Sequence, residues 1–314
     1  GVFYRKYDGA EGKERAWPLA HIPLLIDQAD WISISSGLKQ RAELLERIVA
    51  DIYGDNRLVQ EGLLPPELVA QNGEFLRPMV GTRPASGHFL HFCAFELGRG
   101  PDGAWWVLGD RTQAPSGAGF ALENRVATTR ALSDVYAGMN INRLAGFFRD
   151  FRNTLFAQAK RDGGRVGILT PGQLNETYFE HAYIARYLGL MLLEGEDLVV
   201  EDGEVKVRTV AGLKPVSVLW RRMDASFVDP LELRYDSHIG TPGMVEALRT
   251  GSISMINALG TGILETRALA AFMPRLCKHL LGTGLELPEI ATWWCGQGAE
   301  SAFVLDNFDQ LMIG

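Results

Sequence analysis

The spacing of apolar residues predicts two helices in the first third of the chain. Five apolar residues between positions 31 and 53 recur at the three- and four-residue intervals of an amphipathic helix: Ile34, Leu38, Leu45, Ile48 and Ile52. Gly54 follows the last of them and fits the C-cap of that helix. Pro65-Pro66 predicts a second, short helix, because proline suits the first helical turn. Residues 1–26 mix glycine, proline and charge, so we expect irregular structure there.

The pattern changes to that of strands after Gly87. Residues 88–95 and 105–108 are rich in strand-forming residues, and the turn residues 100–103 separate them. A loop of turn-forming residues follows, and the apolar run 120–122 resumes the strand pattern. These segments predict an antiparallel meander.

The second half of the chain predicts a parallel sheet with connecting helices. An aromatic and aliphatic stripe, which ends at Leu155, indicates one helix. A short apolar strand at 165–169 then runs into Thr170-Pro171-Gly172 and a helix at 176–188, which is the βα unit of a parallel sheet. Four further elements follow: a hairpin that turns at Asp202-Gly203, strands at 216–220 and 252–256, and a helix from about Glu265.

These elements predict an α/β (α+β) protein, in which an antiparallel sheet is joined to a central sheet of βα type. A chain of 314 residues favours two domains. We expect residues 1–157 to hold the first helices and the meander, and residues 158–314 to hold the central α/β part.

The composition adds several exclusions. An apolar share of 46% and a charged share of 22% are typical of a globular protein and exclude a disordered or fibrous one. The net charge of −7 argues against a nucleic-acid partner. No apolar run approaches the roughly 20 residues of a membrane helix, so no membrane partner is expected. Three widely spaced cysteines without a CxxC pair favour reduced thiols in a cytoplasmic protein: Cys93, Cys277 and Cys295.

The strongest candidate chemistry lies between residues 110 and 125. On adjoining strands of a meander, Asp110 and the pair Glu123-Asn124 would lie near the same end of a sheet. Two carboxylates and an amide oxygen suit Mg²⁺ that bridges nucleotide phosphates. A polar hairpin with surface ion pairs explains the same residues equally well, and this alternative stays open.

Cationic and small residues accompany these oxygen ligands. Arg111 and Arg125 would neutralise phosphate charge. The backbone amides of Ser116-Gly117-Ala118-Gly119 would bind phosphate or substrate.

Polar residues also follow the predicted parallel strands. The loop Thr170-Pro171-Gly172 stands where α/β sheets bind ligands, and the helix after it carries Glu180 and His181. His181 would act as a substrate contact or a general base, although a lone helical histidine is more often structural.

Two more loops stand at strand ends. Arg221-Arg222-Met223-Asp224 follows an apolar strand and would clamp a carboxylate or phosphate, with a solvated loop and an ion pair as the alternative. Asn257 leads into Gly260-Thr261-Gly262, a pattern that is weak alone.

Taken in order along nearly the whole chain, these segments resemble the circularly permuted ATP-grasp family, type 2, which is related to the synthetase domain of glutathionylspermidine synthase. The motifs that carry the resemblance are Tyr4-Arg5-Lys6-Tyr7, Trp31 with Gly37-Leu38-Lys39-Gln40-Arg41, Asp51-Ile52-Tyr53-Gly54, Leu76-Arg77-Pro78, Asp110 with Pro115-Ser116-Gly117, Glu123-Asn124-Arg125, Thr170-Pro171-Gly172, Glu180-His181, Arg221-Arg222-Met223-Asp224, Asp229-Pro230 and Asn257-Ala258 with Gly260-Thr261-Gly262.

The resemblance implies an ATP-grasp-like antiparallel sheet joined to a pre-ATP-grasp-like central sheet, with the metal-bearing strands first. It implies ATP and Mg²⁺ as cofactors and the ligation of a carboxylate to an amine, of peptide type, through an acyl phosphate. The residues implied for Mg²⁺ are Asp110, Glu123 and Asn124, and those for the nucleotide are Arg111, Ser116, Gly117, Arg125 and Arg267. The implied catalytic residues are Arg125, Arg222 and His181, and the implied substrate residues are Thr170, Gly172, Glu180, Arg221, Asp224 and Asn257.

Two functions stay open: a ligase with small-molecule or peptide substrates, and a catalytically silent relative that serves as a binding or assembly subunit. Arg267, where related proteins often carry a lysine, favours the second. A homo-oligomer or a partner subunit is compatible with both.

Replacement of Arg222 by alanine is expected to weaken acceptor binding with little loss of stability.

The apolar end Leu311-Met312-Ile313-Gly314 predicts a natural protein that continues beyond this truncated chain. The nucleotide-clamping strands would lie in that continuation. We therefore expect this chain alone to bind ATP weakly.

Overall fold

The computed structural model describes residues 3–6, 13–16, 23–159 and 163–312. Its contacts divide the chain into two compact units, each built from three separate stretches of chain. The first unit comprises residues 1–24, 83–87 and 114–257, and the second comprises 25–82, 88–113 and 258–314. Neither unit follows the predicted ranges 1–157 and 158–314. Tyr7 and the final Ile313-Gly314 lie outside the described residues.

The strands are short, and the helices differ widely in length. The strands are β1 (Phe3–Lys6), β2 (Lys13–Ala16), β3 (Ala94–Arg99), β4 (Trp105–Arg111), β5 (Arg165–Leu169), β6 (Met191–Leu193), β7 (Leu198–Glu201), β8 (Glu204–Thr209), β9 (Gly212–Arg221) and β10 (Ser254–Ile256). The helices are α1 (Gln28–Tyr53), α2 (Arg57–Gln60), α3 (Pro66–Ala70), α4 (Ala118–Ala131), α5 (Ser133–Gly138), α6 (Ala145–Ala157), α7 (Tyr178–Leu188), α8 (Met244–Arg249), α9 (Met273–Leu281) and α10 (Gly298–Asp306). Short 3-10 helices cover Arg77–Met79, Gly195–Asp197, Ala225–Phe227, Thr261–Glu265, Arg267–Phe272 and Phe308–Gln310.

A mixed sheet organises the first unit. Its strand order is β6-β5-β9-β8-β7, and β10 also pairs with β9. The first residues of β9 pair antiparallel with β8, and its last residues pair parallel with β5 and β10. Strand β9 therefore joins an antiparallel half of the sheet to a parallel half.

The parallel half is apolar and covered by helices, as parallel sheets normally are. Val218, Leu219 and Trp220 of β9 are buried. The ring of Phe151 on α6 packs edge-on against Trp220, with 4.7 Å between the ring centroids. Ile184 on α7 is buried in the same unit. This packing fixes the carboxyl ends of β5, β9 and β10 at one edge of the sheet.

Helix α1 forms the core of the second unit. Asp27 accepts the N–H of Asp30 at its N-terminus, and Gly54 closes its C-terminus. The buried face carries Ile34, Leu44, Leu45, Ile48, Val49 and Ile52. Strands β3 and β4 form an antiparallel hairpin, and Val107 of β4 also donates to the backbone of Pro288.

Close backbone approach explains one glycine of the Gly260-Thr261-Gly262 motif. Gly260 has a positive φ of 92°. A Cβ atom built there would lie 2.3 Å from the hydroxyl oxygen of Tyr53. Gly260 is therefore required by packing within the second unit, where the Tyr53 hydroxyl also accepts the N–H of Leu76.

Many predicted elements are confirmed. Helices α1, α3, α6 and α7 and strands β5, β9 and β10 lie where the apolar pattern predicts them. The hairpin between β7 and β8 turns at Asp202-Gly203, and both residues have the positive φ values of a type I′ turn.

Three predictions were wrong. Residues 120–122 lie in α4, so the antiparallel meander ends with β4. Strand β3 begins only at Ala94, well after the predicted start at residue 88. The segment before residue 26 contains an antiparallel pair, β1 and β2, in place of wholly irregular structure.

The expectations from composition concern thiols and membrane helices. Cys93, Cys277 and Cys295 are free thiols. Burial raises the pKa of Cys93 to about 12, which keeps this thiol protonated at neutral pH. Among the helices that the structure describes, none has the length and apolar character to cross a membrane.

Candidate functional site

The carboxyl ends of three parallel strands gather polar residues in the first unit. Thr170 follows β5, Arg222 follows β9 and Asn257 follows β10, and all three are buried. The N–H of Arg222 donates to the carbonyl oxygen of Leu169, which ties the ends of β5 and β9 together. This edge is where α/β sheets place their ligands.

A buried ion pair dominates this edge. Nη2 of Arg222 lies 3.1 Å from Oε1 of Glu180, and the two side chains are only 2% and 1% exposed. Burial raises the pKa of Glu180 above its usual value, while the Arg222 charge and backbone N–H groups oppose the rise. Burial lowers the pKa of Arg222, and Glu180 opposes that shift. A guanidinium stays charged in proteins, and the backbone N–H groups that donate to Glu180 favour its carboxylate form, so the contact is an ion pair.

The second oxygen of Glu180 caps helix α4. The N–H of Gly117 donates to Oε2 over 2.6 Å, and the N–H groups of Gly119 and Phe120 also bond this carboxylate. A Cβ atom on Gly119 would lie 2.8 Å from Cγ of Glu180, so the glycine is needed for this approach. The first N–H groups of a helix lack intrahelical partners and attract anions. Here a side chain of the protein fills that anion site.

Helix α4 carries the predicted residues Glu123, Asn124 and Arg125. Their expected position on a strand next to β4 was wrong, and with it the argument from adjoining strands. The hydroxyl of Tyr183 bonds Glu123. Nη1 of Arg125 donates to the hydroxyl of Tyr136 over 2.6 Å. Asp110 lies in the second unit and these three residues lie in the first, so their convergence stays a prediction.

His181 forms part of a buried hydrogen-bond chain. Its Nδ1 lies 2.9 Å from Oγ1 of Thr170, and its Nε2 lies 3.1 Å from Oγ1 of Thr177. Thr177 donates its own proton to Oδ1 of Asn175, so it accepts from Nε2–H, and Nδ1 accepts from Thr170. Burial and the Arg222 charge lower the pKa of His181 to about 3. A neutral, fully bonded imidazole favours the structural alternative over a general base.

The other predicted substrate residues differ in their burial and in their hydrogen bonds. The N–H of Gly172 donates to Oγ1 of Thr170, and Gly172 has a positive φ of 98°. Arg221 is fully buried and donates through Nη1 to the backbone oxygen of Met223. Asp224 is exposed. The edge therefore combines buried cations with one exposed carboxylate.

In the second unit, Asp110 is held by a cation inside the protein. Nε and Nη2 of Arg41 donate to its two oxygens over 2.6 and 2.8 Å, and Nη1 donates to Glu289 over 3.0 Å. Burial raises the pKa of Glu289, although the Arg41 charge opposes the rise. A divalent cation at Asp110 would have to replace a bidentate guanidinium. Asp110 in this state does not fit a Mg²⁺ ligand.

The residues after Asp110 also bind internal partners. Arg111 is exposed and pairs with Glu96. The N–H groups of Thr112 and Gln113 donate to Oε1 of Glu265 over 2.7 and 2.6 Å. Ser116 and Arg267 are exposed. Across the described residues, no group of three or more His, Cys, Asp or Glu side chains is arranged to hold a metal.

Arg41 and Glu289 were missed as members of a polar cluster. Arg41 falls on the apolar stripe of α1, seven residues after Ile34 and four before Leu45, and a charge at such a position indicates a buried partner. Glu289 follows no comparable pattern, because it meets Arg41 only through the tertiary fold.

The fold matches that of a solved synthetase-like protein. A glutathione synthetase-like effector from Globodera pallida, in its apo form, superposes with a TM-score of 0.54 and covers 98% of this chain and 74% of its own. The two sequences are 14% identical, so the likeness concerns the fold. It defines an α/β protein that shares the fold of that effector.

Sequence comparison gives the family. Residues 23–314 match the circularly permuted ATP-grasp type 2 family, to which the chain belongs. An uncharacterized protein of Synechocystis sp. is 35% identical over all of this chain, which spans 66% of that relative. Two uncharacterized proteins of Mycobacterium tuberculosis are 39% and 33% identical, and the chain spans 34% and 55% of their lengths.

The buried ion pair leads to a prediction about stability. Replacement of Arg222 by alanine should lower the free energy of unfolding by about 3–5 kcal/mol, because Glu180 then stays buried without its cation. Denaturant titration followed by tryptophan fluorescence measures the loss. This outcome conflicts with the sequence-based expectation of little change in stability.

Arg149→Ala is the matched control, since its pair with Asp150 is 70% and 68% exposed and should contribute less than about 1 kcal/mol. The double variant Arg222→Met/Glu180→Gln should recover part of the loss, because it removes both charges and keeps an acceptor oxygen for the N–H groups at the start of α4. A loss below about 1 kcal/mol for Arg222→Ala would contradict a structural ion pair.

His181 predicts a pH dependence. Its pKa is lowered from 6.5 to about 3 on folding, so the unfolded state binds the proton more readily. Stability from this group is complete above about pH 6.5 and is lost as the pH falls toward about 3, with a slope of at most about 1.4 kcal/mol per unit. Unfolding titrations across this range should show a shallower slope for His181→Gln than for the natural sequence.

His238→Gln, at an exposed histidine of the same unit, serves as the control for the substitution itself. Imidazole resonances that titrate near pH 6.5 for His181 would disprove the buried neutral state.

Proposed function

We propose that the protein takes part in ATP-dependent ligation of a carboxylate to an amine. The observation that carries this proposal is the family match over residues 23–314, which supports an ATP-dependent ligase of a general kind. The ATP-grasp-like fold is consistent with it. The acyl-phosphate route, the small-molecule or peptide substrates and the cytoplasmic location are parts of the proposal.

The carboxyl edge of the parallel sheet is the proposed acceptor site. Nε and Nη1 of Arg222 have no hydrogen-bond partner among the described residues, and Nη2 holds Glu180. Thr170, Gly172 and Asn257 lie at the ends of the neighbouring strands. These groups would orient a carboxylate-bearing substrate, since a guanidinium binds carboxylates well. Arg221 and Asp224 would complete the site at the end of β9.

The nucleotide would supply the phosphoryl group that activates the carboxylate. The proposed phosphate contact at Gly117 does not fit, because its N–H already bonds Glu180. Arg111, Ser116, Arg125 and Arg267 stay candidates for phosphate contact. Asp110 does not fit Mg²⁺, because Arg41 binds both of its oxygens.

A silent relative that binds or assembles without catalysis is the second candidate. Two observations favour it: Asp110 is neutralised by Arg41, and the N-terminus of α4 is capped by Glu180. In such a protein the same edge would bind a ligand without transferring a phosphoryl group.

Hydroxylamine trapping distinguishes the two functions. The protein is incubated with ATP, Mg²⁺, hydroxylamine and a panel of amino acids and dipeptides, and hydroxamate is measured together with ADP. A ligase should form hydroxamate only when ATP and one particular acid are both present. Arg125→Leu should lower the rate about 100-fold, as expected when a charge-stabilising contact is lost.

Arg149→Leu, an exposed arginine of the same unit, is the control and should leave the rate unchanged. Unfolding transitions of both variants show whether the fold is intact. Substrate binding without hydroxamate or ADP would support the silent relative and contradict the ligase.

A further inference from the structure

The sequence contains one asparagine that is followed by glycine, at Asn72-Gly73 in the second unit. Asparagine is thermolabile, because the backbone nitrogen of the next residue can attack its side-chain carbonyl carbon. A five-membered ring forms in that attack, and a Cβ atom on the next residue obstructs the closure. Glycine has no Cβ and gives the backbone more freedom. Asn72 is therefore the asparagine with the least steric protection by its neighbour.

The turn around Asn72 holds its side chain over the next peptide. Its Oδ1 accepts the N–H of Glu74 over 2.9 Å, in an Asx turn. Its carbonyl oxygen accepts the N–H of Phe75 over 3.0 Å, which closes the turn in the backbone. Its Nδ2 donates to Oγ1 of Thr266. These bonds keep Cγ beside the nitrogen of Gly73, and the bond to Oδ1 makes Cγ more electrophilic.

Gly73 leaves this nitrogen open to solvent. The residue is exposed, and a Cβ atom built on it would meet no atom within 4 Å beyond its chain neighbours. Its N–H donates no hydrogen bond within the part of the chain that the structure describes. Hydroxide can therefore remove the amide proton, and water has access to the ring that forms.

We propose that Asn72 is a site of deamidation, at which water converts the side-chain amide to a carboxylate without an enzyme. The deprotonated nitrogen of Gly73 attacks Cγ of Asn72, a new N–Cγ bond forms and the Cγ–Nδ2 bond breaks. Nδ2 leaves as ammonia after it gains a proton from water. A second water molecule opens the ring at either carbonyl carbon, so the product is aspartate or isoaspartate.

The isoaspartate product changes the core of the second unit. It carries the main chain through Cβ and Cγ, and this extra methylene group is incompatible with the turn from Asn72 to Phe75. Beyond the turn, the ring centroids of Phe75 and the buried Tyr53 lie 5.5 Å apart, and the N–H of Leu76 donates to the Tyr53 hydroxyl. Loss of the turn therefore loosens the packing on this ring.

Asn175 provides a matched comparison within the same chain. Its Oδ1 accepts the N–H of Thr177 over 2.9 Å, and its carbonyl oxygen accepts the N–H of Tyr178 over 3.1 Å. Asn72 makes the same two hydrogen bonds, but the residue after Asn175 is Glu176 in place of glycine. We expect Asn175 to keep its amide.

The natural protein is incubated in mildly alkaline buffer and digested at acidic pH, and the peptides that contain Asn72 and Asn175 are measured by mass spectrometry. The Asn72 peptide should gain the mass difference between amide and acid with time, and an isoaspartyl methyltransferase should label it. A synthetic peptide of residues 67–78 gives the rate without the fold, and the folded protein should react at least as fast. Gly73→Ala should reduce the modified fraction to that of Asn175, with an unchanged unfolding transition, because the space around Gly73 is open.

Two further variants separate turn geometry from charge. Glu176→Gly should make Asn175 a second deamidation site, because it adds glycine to the same turn. Asn72→Asp carries the new charge on a normal backbone. The isoaspartate fraction of the natural protein, separated by ion exchange, should therefore unfold at a lower denaturant concentration than Asn72→Asp.

A folded protein that reacts more slowly than the synthetic peptide would overturn the proposal. So would equal modification of the natural protein and Gly73→Ala, or an Asn175 that keeps its amide in Glu176→Gly. Equal unfolding of the isoaspartate fraction and Asn72→Asp would contradict the effect on the core.

Discussion

The ion pair between Arg222 and Glu180 is the constraint on which the first unit depends. It brings a residue after β9 and a residue of α7 together in an environment from which water is excluded. Two charges in such a place are stable only when their remaining hydrogen-bonding groups are also satisfied. Glu180 meets this condition by accepting N–H groups at the start of α4, whereas Nε and Nη1 of Arg222 have no partner among the described residues. One carboxylate therefore fixes the strand end and the beginning of a helix 63 residues earlier in the chain.

The second unit also contains a buried cluster of charged side chains, and in this cluster the carboxylates outnumber the cations. Arg41 serves two carboxylates, those of Asp110 and Glu289, so the buried cluster holds one cation and two acids. Burial raises the pKa of Glu289 accordingly. In both units, residues with the chemistry of a nucleotide site bind partners within the protein. The ligase proposal therefore rests on family membership and on the carboxyl edge, and the silent alternative rests on these internal partners.

The sequence predicts those elements whose apolar pattern is local. Helix α1 and strand β9 bury long periodic or continuous apolar runs, so their type and position could be read from spacing. Helix α4 could not, because Phe120-Ala121-Leu122 is too short a run to distinguish strand from helix. Its start is stabilised by Glu180, a contact that no local pattern shows.

For the candidate site, the sequence predicts the location of the residues but not their hydrogen-bond partners. Thr170, Arg222 and Asn257 could be placed at one edge because parallel strands end together. The partners of Asp110 and His181 depend on the tertiary fold, and these partners decide the chemistry of each residue. Residue type alone therefore gave the location of the candidate site and left the protonation and pairing of its members open.

Amide hydrogen exchange at the start of α4 tests the central claim most directly. The first N–H groups of a helix normally exchange fast, because they lack intrahelical partners. If Glu180 caps α4, the amides of Gly117, Gly119 and Phe120 should be protected. Protection should be lost in Arg222→Met/Glu180→Met, which removes both acceptor oxygens without leaving a lone buried charge. The first amides of α5, whose N-cap Leu132 has no side-chain acceptor, should exchange fast in both proteins. Exchange of Gly117, Gly119 and Phe120 at the rate of an unstructured peptide in the natural sequence would contradict the account.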